Sequence, residues 1–513
     1  MIKVYNPADG SLVGEVPHHS VDEVKAAIDR TCEAFPAWSR KLAKERGDLL
    51  RRWFELVRDD KRGFAEIMVK ENGKCLPEAM GEIDYGLGFI EWYAEEAKRV
   101  YGDTIPSHAS NAAVLVVKEP AGPTASITPW NFPFMMIARK IATALAAGCT
   151  MIIKPSEETP LTAYKLLEYA RKAGIPEGVF EMVTGDPREI GPLFTGDDRI
   201  RKISFTGSTA VGKLLAEASG KHLKKMTLEL GGNAPFIVFD DAHFDDAVAG
   251  VVAAKLRNSG QVCISPNRIY VHDSIYDRFV AAVTERVTRI RVDQGLQDEF
   301  VVGPLVNKIG FDKVAGLVEE AKAAGARVVL GGKAHGKGGL FYEPTILAEV
   351  TDEMKVAQTE IFGPVFPIYR FESEDEVVRR ANSSEYGLVA YAYTKDLARA
   401  FRLSRNIEAG MVILNSPSVG TASVPFGGVK HSGFGREGSY HGIEEYVEVK
   451  YVLMASAGHG RNHGRDDCEC LLLPTDPVAD PRLPSAHRCT NRQPSGVDPG
   501  GRRSWPPFPG AFG

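Results

Sequence analysis

The sequence predicts an α/β fold with two doubly wound parallel sheets, on three observations. Short β-branched runs alternate with helical patterns from residue 113 onward, and such connections are right-handed crossovers between parallel strands. The alternation pauses near residue 230 and resumes, which sets two α/β units side by side. The 513 residues hold 44% hydrophobic and 25% charged side chains, an ordinary globular composition in a chain long enough to bury several cores without disulfides or metal.

The elements follow in order. Ser20-Val-Asp-Glu is a capping box, and Leu50, Trp53, Phe54 and Val57 recur at helical spacing, so 20–70 reads as helix. Strands are expected at 113–118 and 124–128, a helix at 134–148, a strand at 150–154 and a helix at 162–173. Strands at 179–183 and 202–206 follow, the second running into Gly207. In the second unit 234–239, 268–271 and 327–330 read as strands. The run 448–453 has nothing after it to cover it; paired with 113–118 it makes a protruding arm whose edge another subunit can complete.

Composition excludes several classes. Net charge is −5, from 62 basic and 67 acidic residues, which argues against a nucleic-acid-binding surface. No apolar run approaches the ~20 residues of a membrane span, and no signal-like segment opens the chain. Seven scattered cysteines without paired spacing fit a reduced, cytoplasmic protein. Cys468, Cys470 and Cys489 with His463 and His487 match none of the usual zinc frameworks, so no metal is expected. Residues 455–513 hold eight Gly, nine Pro and seven Arg but no Lys. That segment is expected to be disordered, as an appendage or the product of a shifted reading frame.

Four constellations carry chemistry. Lys202-Ile-Ser-Phe-Thr-Gly-Ser-Thr-Ala-Val-Gly212 is a strand, a glycine turn and a helix start, a natural anion site, although Gly207 and Gly212 do not complete Gly-x-Gly-x-x-Gly. Lys154-Pro-Ser-Glu-Glu-Thr-Pro160 sets an ammonium and carboxylates after a strand, as ribose recognition wants. Ser259-Gly-Gln-Val-Cys-Ile264 offers a cysteine among small residues, a reachable nucleophile or a buried core thiol. Glu229-Leu-Gly-Gly232 upstream offers a base. Thr128-Pro-Trp-Asn-Phe-Pro133 presents Asn131 rigidly between prolines, as an oxyanion donor or simply a stiff loop.

Together with Glu360-Ile-Phe-Gly-Pro364 and Pro425-Phe-Gly-Gly428, these motifs resemble the aldehyde dehydrogenase superfamily over roughly residues 3–454. The resemblance implies a dinucleotide-binding domain of 1–102 and 119–231, a catalytic domain of 232–440 and an oligomerisation arm of 103–118 and 441–454. It implies Cys263 as nucleophile, Glu229 as the base that activates hydrolytic water, and Asn131 as oxyanion donor. Trp130, Lys154, Ser156, Glu157, Gly207, Ser208, Val211, Gly212, Glu360 and Phe362 are implied to hold the cofactor. Glu157, facing the adenosine ribose in relatives, favours NAD over NADP. A homodimer or homotetramer is implied.

Phe89-Ile-Glu-Trp-Tyr-Ala-Glu-Glu-Ala-Lys-Arg-Val-Tyr-Gly-Asp-Thr-Ile105 and Gly427-Gly-Val-Lys-His-Ser-Gly-Phe-Gly-Arg-Glu-Gly438 are similar to succinate-semialdehyde dehydrogenases and their glutarate and 2-oxoglutarate relatives. That likeness implies a clamp on the substrate's distal carboxylate from Arg139 and Arg257, shaped for the task, completed by a hydroxyl of the loop 416–424, with Thr421 the expected donor. The competing substrate class is uncharged aliphatic or aromatic aldehydes. Members of the group often carry a second cysteine two residues after the nucleophile; here that residue is Ser265, so no intramolecular redox switch is expected. A cysteine hydrolase would want a partner histidine, and a scaffold would not need Cys263, Glu229 and Asn131 together.

Overall fold

The computed structural model describes residues 1–456, which carry three principal sheets. The first has six strands in the order Gly433–Phe434, Lys225–Glu229, Lys202–Thr206, Thr124–Ile127, Met151–Lys154, Phe180–Met182. Its five longer strands are parallel and only the two-residue edge strand runs against them. The chain builds outward from Thr124–Ile127 in one direction, then returns to its other side with Lys202–Thr206. That reversal is a topological switch point, where open α/β sheets place ligands beyond the strands' carboxyl ends.

The second sheet has seven strands, in the order Arg327–Leu330, Thr345–Ala348, Val365–Phe371, Pro266–His272, Ala234–Val238, Val389–Tyr393, Met411–Leu414. All pairings are parallel except that of the edge strand Arg327–Leu330. The third sheet is the arm. Val447–Ala455 pairs antiparallel with Ala112–Pro120 along nine residues, and Asp103–Ile105 lies on the other side.

Helices bury the faces of these sheets. Met135–Ala147 is buried at every position, the signature of a central helix apolar all round. Ser20 caps Val21–Ser39 in the expected capping box. The expected helical stretch divides into Val21–Ser39, Ala43–Asp59 and Lys61–Asn72. Two buried glutamates cap two further helix starts. Glu71 accepts from the backbone of Leu161 and Thr162 at 2.7 and 3.0 Å, and Glu82 accepts from Phe134 and Met135 at 2.9 and 3.1 Å.

One expected boundary is corrected. The segment assigned to the catalytic domain through residue 440 returns to the first sheet, because Gly433 and Phe434 pair with Glu229 and Leu228. A two-residue strand has no hydrophobic period that a sequence could show. The arm strand also continues to Ala455; the tail from residue 457 on, with Cys468, Cys470 and Cys489, lies outside the described residues. Among the described residues no helix is long and apolar enough to cross a membrane, and no cluster suits a metal ion. Cys32, Cys75, Cys149 and Cys263 are free thiols.

Candidate active site

At the switch point the strand Thr124–Ile127 leads into Asn131 and the strand Lys202–Thr206 leads into Gly207 and Ser208. Asn131 is buried and its Nδ2 donates to the Gln261 carbonyl at 3.1 Å. A primary amide has two N–H groups, so one is left to give. The Asn131 carbonyl in turn accepts from Lys74 Nζ at 2.7 Å and from Asn258 Nδ2 at 3.0 Å. The loop that presents the amide is therefore held by a buried cation and by the loop that carries the cysteine.

That second loop is strained. After the helix Phe244–Leu256, three successive residues are left-handed: Asn258 at φ 46°, Ser259 at φ 56° and Gly260 at φ 78°. For the two non-glycines this conformation costs about 1–2 kcal/mol each. Side chains hold it. Asn258 N donates to Glu78 Oε1 at 2.7 Å, Ser259 Oγ donates to the Gly303 carbonyl at 3.0 Å, and Gln261 Oε1 accepts from Val306 N at 3.0 Å. A Cβ at Gly260 would run into the Gly363 carbonyl. The turn delivers Cys263 to the boundary of two cavities, of about 380 and 280 Å³. Burial, with Glu360 adding to it, pushes its thiol up to about 12.

Glu229 ends the strand Lys225–Glu229, is buried, and neither carboxylate oxygen has a hydrogen-bond partner. The glycines after it allow close approach: a Cβ at Gly232 would meet the Cys263 carbonyl. Desolvation and the neighbouring Glu437 raise the Glu229 pKa well above the ordinary carboxylate value. Glu437 goes the other way. Arg139 Nε lies 2.5 Å from one of its oxygens and Lys140 bonds the other, and these cations hold its pKa down. Two buried carboxylates sharing one set of cations separate into an ionised partner and a neutral one.

The larger cavity has the features of a dinucleotide site. Trp130, Thr206, Gly207, Ser208, Cys263, Glu360 and Phe362 are among its lining residues. Ser208 caps the helix Thr209–Gly220, its Oγ accepting from Val211 N at 3.3 Å, so free backbone N–H groups face the cavity as a pyrophosphate requires. Thr206 Oγ1 is buried there without a partner. Trp130 and Phe362 meet edge to face at 5.5 Å, with Phe362 at φ 59°. Glu360 Oε1 accepts from Gly232 N at 3.1 Å, and burial pushes this carboxyl up to about 7. These residues fit a nicotinamide dinucleotide.

Five other expected cofactor residues stand back from this cavity. Lys154 is buried and bonds Glu157. Glu157 lines an adjoining groove that shares Asn307 with the cavity. Ser156 Oγ accepts from Glu158 N at 3.3 Å. Val211 is exposed on its helix, and Gly212 packs on Leu230.

The smaller cavity lies on the other side of Cys263. It is lined by Tyr85, Arg257, Ser418 and Gly420 and by an apolar wall that includes Phe132, Met136 and Phe426. Arg257 makes no hydrogen bond or ion pair among the described residues and rests 4.9 Å over the Phe132 ring. Two expectations are corrected here. Arg139 does not line the cavity: its guanidinium is buried behind Phe426, 4.6 Å from that ring, and its charge is compensated by Glu437. Thr421 is exposed and bonded to Ser423 Oγ at 2.6 Å. Gly420 at φ 121° turns the chain between Thr421 and Ser418, and Ser418 is the hydroxyl-bearing residue of this loop that lines the cavity.

Comparison with known proteins agrees with this geometry. The model of the aldehyde dehydrogenase family matches residues 1–452. The chain belongs to the aldehyde dehydrogenase family. It is 49% identical over 453 residues to the succinate-semialdehyde dehydrogenase [NADP(+)] of Escherichia coli K12, covering 88% of this chain and 94% of that one. It is 48% identical over 453 residues to a glutarate-semialdehyde dehydrogenase of Pseudomonas aeruginosa, with the same coverage. A betaine aldehyde dehydrogenase of Staphylococcus aureus in complex with NAD+ superposes with a TM-score of 0.87 at 33% identity, over 89% of this chain and 92% of that one.

This aldehyde dehydrogenase also uses groups that sequence reasoning missed: Lys74, Glu82, Asn258 and Glu437 as supports, Tyr85 and Ser418 as cavity lining. Only Asn258, in Arg-Asn-Ser-Gly, carried a local signal, that of a turn. Lys74→Met leaves Glu82 as a buried carboxylate without its cation, and breaking such a pair costs about 3–5 kcal/mol. The expected outcome is a lower urea midpoint. Adding Glu82→Gln restores much of the midpoint but not kcat/KM, because the Asn131 carbonyl still lacks its donor. Recovery of both together would rule out the positional role of Lys74.

Proposed function

We propose that this chain oxidises an aldehyde bearing a carboxylate at its far end, succinic semialdehyde foremost, to the dicarboxylic acid with NAD as hydride acceptor. One observation carries the reading: Arg257 lines the cavity that ends at Cys263 and makes no hydrogen bond or ion pair with any described residue. The names of the E. coli and P. aeruginosa relatives support the semialdehyde substrate, while the E. coli name gives NADP(+) as that protein's cofactor. The apolar remainder of the cavity favours uncharged aldehydes as the second reading.

The Cys263 sulfur attacks the aldehyde carbon as its thiol proton passes to solvent, and a hemithioacetal oxyanion forms. The free N–H of Asn131 Nδ2 and the Cys263 backbone N–H bind its oxyanion, each such donor being worth about 3–4 kcal/mol. A nicotinamide dinucleotide held in the larger cavity by Trp130, Ser208, Glu360 and Phe362 would supply the acceptor for the hydride that leaves as the oxyanion collapses. A thioester on Cys263 is left, and Glu229 takes the proton of the water that cleaves it. The balance is one aldehyde, one water and one NAD+ giving acid, NADH and protons. The arm strand Val447–Ala455 has one unpaired edge and exposes Val449, Tyr451 and Leu453, which suits addition of a second copy in a homodimer or homotetramer.

Three outcomes test this reading. Arg257→Leu raises KM for succinic semialdehyde about tenfold or more, as loss of a charged hydrogen bond does, while butanal changes by less than about twofold. Equal effects on both would sink the carboxylate reading. Glu229 works only when ionised, and its pKa is raised. Thioester hydrolysis therefore accelerates with pH above the ordinary carboxylate range. Glu229→Gln abolishes that rise and leaves a stopped-flow burst of one NADH per site with kcat down about 10²–10⁴-fold.

Cofactor preference gives the third outcome. The carboxylate of Glu157, in the groove that adjoins the cofactor cavity, repels a 2′-phosphate. NAD should exceed NADP in kcat/KM by about tenfold or more, and Glu157→Ser should narrow the gap. An equal or better kcat/KM with NADP counts against the assignment.

A further inference from the structure

Lys74, Glu78 and Glu82 follow one another at intervals of four around the start of the helix Leu76–Glu96. All three line a cavity of about 610 Å³ whose walls include Phe132 and Asn258. Lys74 and Glu82 hold the segment of Asn131. Glu78 reaches the cysteine's loop instead. Its Oε1 accepts from Asn258 N at 2.7 Å, and its Oε2 accepts from Cys75 Sγ at 3.4 Å.

The helix Phe244–Leu256 ends at Arg257, whose ψ of 127° takes the next N–H off the helical ladder. The Asn258 N–H therefore needs an acceptor outside its own helix, and the Glu78 carboxylate supplies a charge-assisted one. Asn258 then belongs to a closed ring. Its Nδ2 donates to the Asn131 carbonyl at 3.0 Å, and Asn131 Nδ2 donates to the Gln261 carbonyl at 3.1 Å. Gln261 donates back to the Asn258 carbonyl from N and Nε2, at 3.0 and 3.1 Å. Lys74 ties this ring down at Asn131 and Glu78 ties it down at Asn258. Beyond Asn258 the turn is walled in, Ser259 by the Gly303 carbonyl and Gly260 by the Gly363 carbonyl. At Asn258 itself the neighbour is the cavity, so the strained turn relaxes in that direction once its hydrogen bond is lost.

We infer that Glu78 is a positioning residue for the reaction: it fixes the left-handed turn Asn258–Gly260 and so holds Cys263 against the Asn131 amide. Glu78 lines neither of the two cavities that meet at Cys263 and acts through Asn258. The inference rests on Cys263 as the nucleophile and on no particular aldehyde. What counts is the reach of the acceptor. Aspartate keeps the charge at the helix start but falls a methylene short of Asn258 N. Glutamine gives up the charge and keeps an acceptor oxygen at the same reach.

Glu78→Ala, Glu78→Asp and Glu78→Gln are compared with the parent by the rate of the first NADH turnover in stopped flow, and by the Kd for NAD. The expected result is that Ala and Asp slow the first turnover about tenfold or more, by the same factor with succinic semialdehyde and with butanal. The Kd for NAD stays within about twofold, and Gln stays within about threefold of the parent rate. A double-mutant cycle separates positioning from general damage. Asn131→Ala should cost at least about fivefold less in the Glu78→Asp background than in the parent, because the amide is already out of register with the cysteine. Equal costs in both backgrounds, an Asp variant as fast as the parent, or a Gln variant as slow as Ala overturns the assignment. The Asp and Gln variants decide the matter even where Glu78→Ala does not fold. Cys263→Ala is run beside them. Turnover lost there while the Glu78 variants stay normal overturns the positioning role alone; turnover kept there overturns the nucleophile reading with it.

Discussion

Lys74 and Glu82 are each 1% exposed, and their 2.5 Å ion pair links the helix Leu76–Glu96 and the turn before it to the segment that carries Asn131. Such a pair is tolerated inside a protein only when the remaining protons and lone pairs are used. Here they are. The ammonium also donates to the Asn131 carbonyl and lies 4.2 Å over the Phe132 ring. The other carboxylate oxygen takes the two backbone N–H groups that open the helix Met135–Ala147. One pair thus pins both ends of residues 131–135. A helix start, an oxyanion donor and the wall between the two cavities share a single electrostatic anchor.

The same economy of charge governs the base. Arg139, Lys140, Glu229 and Glu437 are all buried, and the cations approach Glu437. Glu437 is therefore the permanent anion, and Glu229, left without a hydrogen bond, is the group free to exchange a proton. Had the cations faced Glu229, its carboxylate would have been a weaker base. This explains why Arg139 is withdrawn from the substrate: its guanidinium is committed to setting which carboxylate titrates. Arg257, by contrast, makes no ion pair with any described residue.

The strained turn at Asn258–Gly260 belongs to the same logic. Its left-handed residues are held by Glu78, Gly303 and the Asn131 loop, so the cysteine and the amide beside it are positioned by one shared network. Left-handed backbone of this kind persists where surroundings over-determine it. A nucleophile whose loop could relax would separate from the oxyanion donor it must share with the substrate.

What could be read in the sequence follows from the range over which each signal acts. The capping box at Ser20, the turn at Gly207 and the first sheet's strands from Thr124–Ile127 to Lys202–Thr206 are local patterns and were legible. Thr345–Ala348, Val365–Phe371, Val389–Tyr393 and Met411–Leu414 were not picked out, and Arg327–Leu330 pairs antiparallel. Cys263, Glu229 and Asn131 could be singled out because each sits in a short motif whose neighbours serve the backbone around it; Gly232, for instance, leaves space for the Cys263 carbonyl. The pairing of Gly433 with Glu229 was not legible, nor was that of Lys140 with Glu437, 297 residues away. Neither leaves a periodicity or a spacing. Arg139 and Thr421 were misplaced for the same reason: a residue type suited to an anion says nothing about whether the fold has already supplied one, or turned the chain at Gly420. Tyr85 went unnoticed in an aromatic-rich helix, where Phe89 and Tyr93 are core. Its partial burial at the cavity wall separates it from them, and that is a property of the fold.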